Sequence, residues 1–129
     1  MEKYTYEQLV DIIAELRSDH GCPWDRAQTH ESMIKCLRDE CEEVVEAINN
    51  HDDENLCEEL GDVLLQVLLH AQIAKEEGRF TIADVVDGLA KKMIRRHPHV
   101  FGDAPQAATP EEGLAMWKAI KEKEKEMRK

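Results

Sequence analysis

Leu9, Ile12, Ile13 and Leu16 recur at three- and four-residue intervals, and the same spacing returns in the later apolar segments of the chain. That period places side chains on one face of an α-helix. Nothing alternates with the two-residue period of a strand, so the sequence restricts the fold to helices packed on helices. The expected class is all-α. A length of 129 residues supports one domain, residues 1–129, with a real core, and an antiparallel helical bundle of four core helices plus a C-terminal helix is the architecture it implies. A hydrophobic share of 42% with only 5% aromatic suits a core of Leu, Ile, Val and Ala.

Each helix carries its own start signal. Thr5 opens a Thr-x-x-Gln capping box for a first helix that ends at His20-Gly21. Gly21 to Thr29 is predicted as a shaped loop, because Cys22-Pro23-Trp24-Asp25 interrupts any helix and proline disfavours the α conformation before it. The second helix is predicted from Glu31 to Asn49 with Met33, Leu37, Cys41, Val44, Val45 and Ile48 on its buried side. After a turn, Asp53 is the expected N-cap of a third helix ending near Gly78. Leu60, Val63, Leu64, Val67 and Leu68 line one side of that helix, while Leu65 and Leu69 lie opposite. A helix apolar over most of its girth must be central or face another subunit, and a homodimer or homotetramer formed through helices is expected. Thr81 caps a fourth helix that Pro98 closes beyond Arg96, and Thr109-Pro110-Glu111-Glu112 gives a capping box for a fifth. The charge run from Lys118 onward reads as a solvated, frayed helix end.

Acidic residues outnumber basic ones, 28 to 17, for a formal charge of −11. That balance excludes a surface built to coat a nucleic-acid polymer, which needs a basic footprint. It leaves room for a nucleotide, since a bound cation and a local basic cluster invert the sign within a site. Cys22, Cys36, Cys41 and Cys57 have no C-x-x-C spacing, so they are read as reduced thiols and not as zinc ligands. Met1 to Gln8 is too polar for a signal peptide and no apolar run reaches membrane-spanning length. The expectation is a soluble cytoplasmic protein with no membrane partner.

Among the many acids, two pairs stand apart. Glu40 with Glu43 and Glu59 with Asp62 are each three residues apart, hence about 60° apart on a helical wheel, and each pair is followed by a valine, Val44 or Val63, of the apolar stripe. The short turn between their helices implies antiparallel packing, so the four carboxylates can converge. Such a cluster repels itself unless a hard cation neutralises it, and magnesium, or manganese, is the expected ion. Gly61 lies between Glu59 and Asp62 and either lets a ligand or backbone approach or serves helix packing. A carboxylate di-iron bundle needs Glu-x-x-His, and His70 has Val67 at that offset.

Four stretches together resemble one family. Gly21-Cys-Pro-Trp-Asp-Arg-Ala-Gln-Thr-His-Glu-Ser32, Glu40-Cys-Glu-Glu-Val-Val-Glu-Ala-Ile48, Glu58-Glu-Leu-Gly-Asp-Val-Leu-Leu-Gln-Val67 and Arg95-Arg-His-Pro-His-Val-Phe-Gly102 resemble the MazG-type nucleoside triphosphate pyrophosphohydrolases. The likeness runs from about residue 5 to residue 120, and it departs at Asp39, where the family pattern has the longer Glu. It implies an α-helical, oligomeric, magnesium-dependent enzyme that converts a nucleoside triphosphate to the monophosphate and pyrophosphate. By position it makes Glu40, Glu43, Glu59 and Asp62 the metal ligands. Longer bacterial members carry two such domains, and this chain has one.

Other residues complete the expected site. Lys92 and Arg96 share a helix face within the cluster Lys91, Lys92, Arg95, Arg96 and are assigned to phosphate contact, the bland alternative being neutralisation of a helix C-terminus. Arg26 is a further phosphate candidate, and Trp24 either stacks on a base or covers the core. Trp117 is placed in the core, and His97 and His99 in a structural turn about Pro98. Metal-assisted hydrolysis is the expected chemistry, with Glu43 as the preferred proton acceptor. The rival readings are a phosphoribosyl-ATP pyrophosphohydrolase, against which the Cys-Pro-Trp-Asp segment argues, and a non-catalytic helical interaction module, which magnesium would leave unaffected.

Overall fold

Thr5, Asp52 and Thr109 each keep an extended backbone while the side chain caps the helix that follows. A computed structural model describes residues 2–128, and Met1 and Lys129 lie outside the described residues. The order is α1 (Tyr6–Leu16), α2 (Pro23–Ala27), a 3-10 turn (Glu31–Met33), α3 (Ile34–Asn49), α4 (Asp53–Glu76), α5 (Ile82–Arg96), α6 (Pro98–Phe101) and α7 (Pro110–Met127). The all-α expectation is borne out, with no strand among the described residues.

Three local expectations need correction. Asp52, not Asp53, caps α4: its extended backbone lets its carboxylate accept from the Asn55 N–H at 3.1 Å, leaving Asp53 as a first-turn charge that favours the helix dipole. The predicted loop around Trp24 contains a helical turn. Cys22 is extended, as a residue before proline prefers, but Pro23 then starts α2 from the first helical position, where its missing N–H costs nothing. Pro98 likewise starts the short α6 inside the segment read as a closing turn, and His97 Nδ1–H donates to the Met93 carbonyl at 2.6 Å. The capping box at Thr5 forms as predicted, with bonds of 2.8 and 3.1 Å. At α7, Thr109 accepts from the Glu112 N–H at 3.2 Å, whereas Glu112 reaches the Ala108 N–H and not that of the cap.

The chain resolves into two units, 1–82 and 83–129. In the first, Ile13 of α1, Met33 and α4's Leu68 and Leu69 form the core, with Leu9, Leu16 and Leu65 packed on it. Leu69, opposite the apolar stripe of α4, is 3% exposed, as a centrally placed helix requires. The open flank of α4 is the one carrying Leu60, Leu64 and Val67. On α3 the side expected to be buried is likewise open at Leu37, Cys41, Val45 and Ile48, because within one chain α3 packs mainly on α4.

The segment after α1 is fastened down. The Cys22 N–H bonds the Leu16 carbonyl at 2.9 Å, and a Cβ on Gly21 would lie 2.3 Å from the carbonyl oxygens of Glu15 and Leu16. Only glycine fits there. Arg17 lies almost buried, donating to both oxygens of Glu76 at 2.9 and 3.0 Å and to the carbonyls of Asp25 and Gln28. Helix α2 is thereby tied to the C-terminal ends of α1 and α4.

The second unit holds α5, α6 and α7. Arg96, at the end of α5, is 8% exposed and lies against the Trp117 ring of α7, its guanidinium carbon 5.5 Å from the ring centre.

Candidate metal centre

Helices α3 and α4 run antiparallel because only Asn50, His51 and Asp52 separate them, with His51 in the left-handed conformation at φ 52°. That turn fixes the register. Glu40 comes opposite Asp62 and Glu43 opposite Glu59, and one carboxylate oxygen from each of the four lies within 4.8 Å of all the others. Glu40, Glu59 and Asp62 are half-buried and Glu43 is exposed. The two predicted pairs are one cluster.

When all four are ionised they are acceptors only, so none can donate to another. Glu40 Oε2 and Glu59 Oε2 are buried without a hydrogen-bond partner. Either a shared proton or a cation must satisfy them. The Glu59 carboxyl is pushed up to about 7, first by the adjacent Glu43 carboxylate, to which its protonated form donates, then by burial and by the charges of Glu43, Asp62 and Glu40. Glu40 is also raised, first by burial and then by Glu43 and Asp62, while a bond with Glu59 pulls the other way. Four oxygen donors with orphaned atoms and raised carboxyls fit a hard divalent cation.

Gly61 is exposed, and a Cβ there would meet nothing within 4 Å, so packing within this chain does not require it. Trp24 is 59% exposed, which removes its alternative role as a lid on the core. Arg26 donates to the Asp19 carbonyl at 3.1 Å and lines a cavity beside the C-terminal end of α4. The basic cluster belongs to the second unit. There Lys91 pairs with Asp87 at 2.8 Å, Lys92 is half-buried, and Arg95 and Arg96 both bind Glu124. Trp117, placed in the core from sequence, is half-buried between Arg96 and Lys121.

Two features had no signal in the sequence. The Nδ1 atoms of His30 and His70 lie 2.7 Å apart with their rings stacked, and Arg79 hydrogen-bonds the far nitrogen of His30. Burial, then the neighbouring His30, pushes His70 below the usual histidine range. His30, Arg17, Glu76 and Arg79 border a cavity of about 520 Å³, but from Asp62 to the lining Ile73 α4 runs roughly 16 Å, so this cavity is separate from the acid cluster. No helix among the described residues is long and apolar enough to cross a membrane.

Residues 28–101, which include the four acids and the basic cluster, match the MazG nucleotide pyrophosphohydrolase domain family. Over 124 residues the chain is 53% identical to a Thermotoga maritima protein named nucleoside triphosphate pyrophosphohydrolase/pyrophosphatase MazG, covering 96% of this chain and 47% of that protein. An Escherichia coli K12 protein named nucleoside triphosphate pyrophosphohydrolase is 42% identical over 120 residues, 92% of this chain and 45% of that one. The chain thus spans about half the length of these curated relatives. A crystal structure of a mazG-related protein from Thermotoga maritima matches with a TM-score of 0.71 at 33% identity, covering 90% of this chain and 98% of that chain.

Proposed function

This chain belongs to the MazG nucleotide pyrophosphohydrolase domain family, and from that premise we propose that it hydrolyses a nucleoside triphosphate, ribose or deoxyribose, to the monophosphate and pyrophosphate, with magnesium or manganese as cofactor. The observation that carries the reading is the convergence of Glu40, Glu43, Glu59 and Asp62, with buried oxygens that lack donors. These four carboxylates would hold the ion. Bound there, the ion supplies positive charge that offsets the triphosphate and eases the ionisation of water.

The chain's own groups do the rest. Water attacks the phosphorus nearest the sugar, an oxygen–phosphorus bond forms there, and the bond to the bridging oxygen breaks in line with it. Glu43, the exposed member of the cluster, accepts the proton of that water on a carboxylate oxygen. Lys92 and Arg96, with Arg95 as a further contact, grip the phosphates of the bound triphosphate and keep hold of the departing pyrophosphate. Trp24 offers an exposed ring for the base. Free thiols at Cys22, Cys36, Cys41 and Cys57 accord with a reducing cytoplasm.

The working form in this reading is a homodimer or homotetramer. Leu60, Leu64 and Val67 follow one another at helical spacing along an open flank of α4, beside exposed Leu37, Val45 and Ile48 on α3. A second copy of the chain is the occupant that fits, since monomers rarely leave such a patch in water. Leu64→Glu is expected to shift the protein to monomer in analytical ultracentrifugation, and an unchanged sedimentation coefficient would remove this face from the interface.

The test of the activity is a screen of common, deoxy and non-standard nucleoside triphosphates for pyrophosphate release with and without magnesium. At least one substrate is expected to respond. Silence from all of them with magnesium and with manganese sinks the proposal.

A further inference from the structure

The run Lys118-Ala-Ile-Lys-Glu-Lys-Glu-Lys-Glu126 looks uniformly solvated in sequence, but one of its acids is not. The Glu124 side chain is only 14% exposed, and its carboxylate is shared between two arginines. Oε1 accepts from Arg95 Nε–H at 2.5 Å, while Oε2 accepts from Arg96 Nε–H at 3.1 Å and lies 3.0 Å from Arg96 Nη2. The guanidinium carbon of the same Arg96 lies over the Trp117 ring, 5.5 Å from its centre. These grips use the Nε edge and one face of the fork. The Nη1 hydrogens and the second Nη2 hydrogen make no bond among the described residues, and an edge of this kind can donate to phosphate oxygens.

We propose that Glu124 is a positioning residue, which with Trp117 orients Arg96 so that its outer edge receives the phosphates of the nucleotide. The inference rests on the assignment of Arg96 to phosphate contact made above. Its physical content is preorganisation. A free arginine loses much side-chain entropy when it binds, and one already fixed by a carboxylate and a ring loses less. Charge does not oppose the arrangement, because one carboxylate between two guanidinium groups leaves the trio at +1. The two arginines hold the Glu124 carboxyl down at about 2, so the trio keeps that charge through the neutral range.

The test is steady-state kinetics on the full chain with its best triphosphate and magnesium. Glu124→Gln keeps the shape and loses the charge, and it is expected to raise KM by roughly 5- to 10-fold with kcat little changed, the signature of lost uniform binding. Glu124→Asp, which keeps the charge but shortens the reach, serves the same purpose if the amide variant fails to fold and should also raise KM. Arg96→Ala and the double variant Arg96→Ala/Glu124→Gln are measured beside them. The double variant should match Arg96→Ala, because Glu124 acts only through Arg96. If Arg96→Ala raises KM while folded Glu124 variants leave it unchanged or lower it, the positioning role is overturned and the phosphate contact stands. If Arg96→Ala leaves KM unchanged, the phosphate assignment falls and takes the inference with it.

Discussion

Glu43→Gln and Asp62→Asn are each expected to lower magnesium-dependent pyrophosphate release by more than about 100-fold, since even partners one shell outside a metal cost up to that much. Far-UV circular dichroism should stay helical. Each change keeps side-chain volume while removing a charge from a cluster whose members lie within 4.8 Å of one another. Neither residue belongs to the Ile13, Met33, Leu68, Leu69 core, so the fold has no need of the lost charge. Removing one carboxylate also relieves repulsion among the other three. The metal-free variants should therefore be at least as stable as the parent chain, and loss of activity accompanied by loss of helix would point to a structural role for these acids instead.

Magnesium is expected to raise the melting temperature strongly, and more so at alkaline pH. An ion at a hundred times its dissociation constant adds about 2.7 kcal/mol, which at roughly 4 °C per kcal/mol for a chain of this size is on the order of 10 °C. The pH dependence follows from the raised carboxyls. In the folded chain Glu59 titrates at about 7, against 4.5 for an ordinary glutamate, and Glu40 is shifted the same way. The folded state therefore holds protons that the unfolded state has released. The contribution these protons make to metal-free stability is full below about 4.5, falls as pH climbs through that window and is gone above about 7. Magnesium competes with those protons, so its affinity rises across the same window. Thermal scans on both sides of neutrality, with and without magnesium, check this, and an ion effect of equal size at both would contradict the shared-proton picture.

How much of this was legible in the sequence can be traced residue by residue. The four acids were, because helical period and a short turn suffice to bring Glu40 opposite Asp62 and Glu43 opposite Glu59. Their separation from the other acids came from the direction of the apolar stripe together with the flanking motifs. The caps at Thr5 and Thr109 were legible outright and that of α4 to within a residue, since the adjacent Asp52 and Asp53 offer the same chemistry and only backbone conformation chooses between them. The His30–His70 stack and the Arg17 ties were not legible. They join residues far apart in the chain, and no local pattern records a tertiary contact. Glu124 was hidden for a related reason, because lysine and glutamate alternate around it and only packing against Arg95 and Arg96 singles it out. The open sides of α3 and α4 were anticipated only as an alternative, since apolar periodicity shows that a face seeks cover without showing what covers it.

The most direct test of the central claim is the identity of the products. Incubation of the chain with magnesium and a responsive nucleoside triphosphate, followed by phosphorus-31 NMR, should yield monophosphate and pyrophosphate in equal amounts, with no diphosphate. The same mixture with Asp62→Asn should leave the triphosphate intact. Diphosphate and orthophosphate as products, or unimpaired turnover by the Asp62 variant, would contradict the assignment of the α3–α4 carboxylates to pyrophosphate-releasing hydrolysis.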